Sequence, residues 1–115
     1  MNRIFLSDLL TDIKKTPTEQ CSIFALLNLG LIESLGNGTI SATEAVDCFF
    51  HADNCLFVHN HFYDRDAEAV MSHGVQLPDL FAVLPPQQAQ REFQRELSAM
   101  RALCYTLLHE RELAV

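Results

Sequence analysis

Between residues 16 and 36 the apolar positions do not fall on a single stripe. At about 100° per residue, Cys21, Phe24, Ala25, Leu27, Leu31, Ile32 and Leu35 cover well over half of a helical circumference, the pattern of a helix buried on most sides. Its ends are marked. Thr16 can cap the helix with Pro17 in the first position, and Glu19 completes a capping box. Gly36, Asn37 and Gly38 supply a left-handed stop. Gly30, inside this helix, is expected where another helix approaches closely. Asn28 shares the most apolar sector and is expected to be a buried amide bonded to nearby backbone.

The flanking segments are also helical in pattern. Leu6, Leu9, Leu10 and Ile13 share one sector of a first helix over residues 1–15, ended by Lys14 and Lys15. After the Asn37-Gly38 turn, Ser41 and Glu44 form a second capping box, with Ile40 placed to staple against Ala45. Ala45, Val46, Phe49 and Phe50 are the buried side of that helix, which is expected to fade over residues 51–54. Residues 55–63 fit a helical turn or a short strand, and the lack of a second strand favours helix or irregular backbone. Asp64 or Asp66 then caps a short helix stopped by Gly74, and residues 77–84 read as another, with Pro78 in its first turn. Beyond Pro85-Pro86, the stripe Ala89, Phe93, Leu97, Met100, Cys104 and Leu107 marks a last helix to about residue 112. The expected fold is all-α: one domain over residues 1–115, four longer helices and short connecting ones around a buried central helix.

Within this frame, Asn37-Gly38, Ile40-Ser41 and Glu44-Ala45 carry a resemblance. The stretch resembles a pattern in small uncharacterised bacterial helical proteins, where a buried helix ends in an Asn-Gly turn and a Ser-capped helix follows. The resemblance implies an all-helical fold and supplies no catalytic residue.

Composition narrows the partners. A hydrophobic share of 49% excludes disorder. The net charge is −7, and residues 16–86 hold nine acids against one base, Arg65. That field disfavours nucleic acid and anionic membrane surfaces and is compatible with a basic protein partner. The central apolar run is interrupted by Asn28, Glu33 and Ser34, so it is not a membrane span. Four scattered cysteines without a CxxC pair, and no signal-like N-terminus, point to reduced thiols in the cytoplasm.

Two candidate sites follow. The first is a patch on the polar side of the central helix, where Leu26 and Leu29 lie among Ser22, Glu33, Thr18 and Glu19. It suggests a protein partner or a homodimer centred on Leu26. The second is a concentration of transition-metal ligand types, His51, Cys55, His59, His61 and Asp64, with Asp53, Asp66 and His73 near in sequence. A continuous helix would stack His51, Cys55 and His59, whereas an extended segment would align His59 with His61. No established zinc spacing is present. A Cys55–His59 nucleophile pair would need a lowered thiol pKa. Without a coherent catalytic set or an implied cofactor, the leading expectation is a non-enzymatic helical protein acting by self-association or protein–protein contact. A sharper form of it is an acidic inhibitor or immunity-type protein. The alternative is a small metal-dependent enzyme using residues 51–73.

Overall fold

The computed structural model describes residues 2–11 and 16–113, and side chains as far as residue 109. Among the described residues there are six helices and no strand: α1 (Leu6–Thr11), α2 (Pro17–Gly36), α3 (Ala42–Cys48), α4 (Ala52–Phe62), α5 (Arg65–Val83) and α6 (Pro86–Leu113). The fold is all-α.

The ends of α2 follow its capping chemistry. Thr16 is extended, and its hydroxyl accepts the Glu19 amide at 3.2 Å. At the other end the left-handed residue is Gly38 (φ 80°), while Gly36 is the last helical position. Cys21, Phe24, Ala25, Asn28, Ile32 and Leu35 are buried. The Asn28 amide nitrogen donates to Phe24 O at 2.9 Å, and its Oδ1 has no partner among the described residues. Gly30 departs from expectation. It is exposed, and a Cβ there would meet nothing within 4 Å.

The first helix is shorter than the pattern suggests, because residues 2–5 are held in another way. Ile4 N donates to Cys48 O at 2.8 Å, and Leu6 N donates to the Asn54 side chain at 2.9 Å. Leu6 and Leu10 enter the core and Leu9 remains exposed. Met1, Ile13, Lys14 and Lys15 lie outside the described residues.

Both halves of the Ser41–Glu44 capping box form. α3 stops at Cys48, earlier than its apolar pattern implies, so that Phe49 and Phe50 enter the core. The chain then restarts as α4, with His51 extended as its cap. Residues 55–62 are therefore helical. Tyr63 adopts a left-handed conformation (φ 48°), and Asp64 caps α5 by accepting the amides of Asp66 and Ala67.

The two short helices expected on either side of Gly74 are one helix of 19 residues. Pro78 sits inside it, lacks an N–H, and its ring crowds the carbonyl four residues earlier, that of Gly74. The helix continues nonetheless: Val70, Met71, Gly74 and Leu77 are buried before the proline, and beyond it half-buried Leu80 packs on the core and Phe81 on Phe93 of the next helix. Gly74 is the true place of close approach. A Cβ there would lie 2.4 Å from the ring of Phe50.

Leu84 is extended before Pro85, as a residue preceding proline prefers. Beyond the break, α6 buries Ala89, Phe93, Leu97, Met100, Cys104 and Leu107. Its contacts with α5 and α2 are the most extensive in the fold. The last helix is thus as central as α2, and α3 and α4 also pack against α5. This leaves one long face of α2 turned outward.

Candidate interaction surface

The outward face of α2 is set by the same 3.6-residue period that buries its other side. Leu26 is 58% exposed although it lies in the middle of a 20-residue helix. Glu33, Glu19 and Gly30 are exposed beside it, and Ser22 is half-buried. Leu29 is also half-buried and packs on the core, as does Ile23, so the patch is less open than two free leucines would make it. The Glu19 carboxylate accepts the Thr16 hydroxyl at 3.2 Å. The result is an apolar strip with a negative charge at each end.

The histidine-rich region is organised differently. His51 has its ring against Phe5, with Nε2 2.9 Å from Ile4 O and Nδ1 3.4 Å from the Asn54 amide. Nδ1 can meet that amide only as an acceptor, so Nε2 carries the hydrogen and donates to Ile4 O. His59 turns to Glu68 of α5, with Nδ1 2.5 Å from the carboxylate. His61 stacks on Phe57 at 4.1 Å between centroids. Asp64 is occupied at the α5 cap, and His73 bonds Glu96 of α6. Among the described residues, no three His, Cys, Asp or Glu side chains are grouped so as to hold a metal ion. Cys55 is half-buried, and burial raises its thiol pKa, the opposite of nucleophile activation. It lines a small cavity of about 230 Å³ beside Glu68 and Met71.

A larger groove of about 650 Å³ lies where the α2–α3 turn meets α5 and α6. Leu35, Ile40, Pro78 and Phe93 line it, with half-exposed Phe81 edge-on to Phe93 and Glu44 on its rim. Sequence reasoning overlooked it, because Phe81 was expected in a separate helix. It also overlooked Asn54, whose amide nitrogen donates to Ile4 O and Phe49 O at 2.9 and 2.8 Å while Oδ1 accepts from Leu6 N. The one available signal was an asparagine on the apolar side of a phenylalanine-rich helix.

No protein family, curated protein or solved structure matches this chain. No helix among the described residues is long and apolar enough to cross a membrane.

Proposed function

We propose that this is a non-enzymatic interaction protein that binds another protein through the outward face of α2. The supporting observation is Leu26, a large apolar side chain left exposed at the middle of a core helix and ringed by Ser22, Leu29, Glu19 and Glu33. Scattered exposed leucines are ordinary on soluble proteins. One placed centrally on a strip of small, apolar and charged neighbours has the arrangement of an interface, with an anchor inside and a polar rim. The acidic balance of residues 16–86 favours a basic partner, as an inhibitor covering a cationic surface would require. Four free cysteines, three of them buried, suit a reducing, cytoplasmic setting.

A photo-crosslinking residue placed at position 26, with a control at exposed Leu56 on α4, tests this in the cell of origin. The proposal expects one protein to crosslink from 26 and not from 56, and the same protein, purified, to bind Leu26→Glu about tenfold more weakly or worse. Crosslinking from 56 alone, or unchanged binding to Leu26→Glu, contradicts it.

A further inference from the structure

The residues around Leu26 are arranged nearly symmetrically about it. Three positions away on either side are Ile23 and Leu29, both half-buried and apolar. Four positions away are Ser22 and Gly30, both small. Seven positions away are Glu19 and Glu33, both exposed and acidic. Residues seven apart on an α-helix lie within about 20° of one another, so Glu19, Leu26 and Glu33 form one line along the surface. At 1.5 Å per residue each acid is about 10 Å from the centre.

This arrangement distinguishes between occupants. A second copy packed antiparallel about Leu26 would bring apolar against apolar and small against small. It would also bring Glu19 of each copy opposite Glu33 of the other, twice, between two chains of net charge −7. A partner helix with the same apolar centre and a Lys or Arg about two turns to either side meets both acids with opposite charge. The absence of a Cβ at Gly30 leaves room for its backbone to come close.

We propose that the outward face of α2 receives a cationic amphipathic helix of another protein, and not a second copy of this chain. The proposal rests on the reading of this face as an association surface and adds the charge and form of the partner.

The test uses two synthetic helical peptides identical except at the positions seven residues from a central leucine, which are Lys in one and Glu in the other. Fluorescence anisotropy of each, titrated with the full-length protein, is expected to show the Lys peptide binding about tenfold tighter or more, with the gap narrowing in about 0.5 M salt. In Glu19→Lys/Glu33→Lys the preference should reverse, and in Leu26→Glu and Leu26→Ala binding of the favoured peptide should fall by about tenfold or more. In sedimentation, wild type should be a monomer, and Glu33→Lys should dimerise because each new lysine would face Glu19 of the other copy. Circular dichroism of each variant checks that its helices are intact. If both peptides bind equally and Leu26→Glu abolishes both, charge selection is wrong while the association surface stands. If neither peptide binds, both are overturned. A wild-type dimer dissolved by Leu26→Glu gives the face to a second copy and overturns the proposal.

Discussion

A Cβ on Gly74 would lie 2.4 Å from the ring of Phe50, closer than a β-carbon sits to any neighbour in a relaxed protein. The helix α5 therefore crosses the end of α3 at a distance only glycine allows. Gly30, in the interior of α2, has open space where its side chain would be. The same residue type is required at one site and costs helix stability at the other.

Gly74→Ala should destabilise the protein by about 1–3 kcal/mol or more, because Phe50 is buried and its ring has little room to move. Gly30→Ala should stabilise it by up to about 1 kcal/mol, the helix propensity that glycine forgoes. Urea unfolding of both variants checks the pair, and equal effects in one direction would contradict it.

The two glycines also show what could be read from the chain before its structure. Glycine announces a special position but not which kind. Gly74, followed by Pro78, looked like a terminator because local signals favour stopping there. Buried Met71 and Leu77 flank Gly74, and Leu80 and Phe81 pack on the core and on Phe93 beyond Pro78, so contacts with distant residues carry the helix through both positions. Features settled within a few residues were legible: the Thr16 and Ser41 caps, the α6 stripe, the burial of Asn28 and the exposure of Leu26. Those depending on distant partners were not. Neither the tie from Asn54 to Ile4 and Leu6 nor the pairing of His73 with Glu96 has a sequence spacing that foretells it. His51, Cys55, His59, His61 and Asp64 were close in the chain, yet caps, stacking and hydrogen bonding send them in different directions.

Asn54→Ala should loosen the N-terminal segment first. The substitution leaves Leu6 N, Ile4 O and Phe49 O each short of one bond, at a cost on the order of 2–3 kcal/mol in all. The Leu6 amide should then exchange with solvent faster than amides of α6. Equal acceleration throughout would mean that Asn54 stabilises the whole fold and not this segment.

Cys104 gives a dependence on alkaline pH. Burial, with a smaller contribution from the neighbouring Cys21, pushes its thiol from 9.0 up to about 12. Below pH 9 folded and unfolded chains both keep the proton. Above it the unfolded chain releases the proton while the folded chain holds it until about pH 12, so stability falls as pH rises through this window. The slope from this one group is at most about 1.4 kcal/mol per pH unit. Cys104→Val, similar in shape and unable to ionise, should lose less stability between pH 9 and 10.5. Parallel profiles for the two proteins would contradict the assignment.

The association surface is tested most directly by amide chemical shifts of the full-length protein on addition of the Lys-ended helical peptide. The largest changes should fall on Ser22, Ile23, Leu26, Leu29, Gly30 and Glu33, with the α5–α6 corner around Phe81 and Phe93 unmoved. Changes concentrated at that corner, or none at saturating peptide, would contradict the assignment of function to α2.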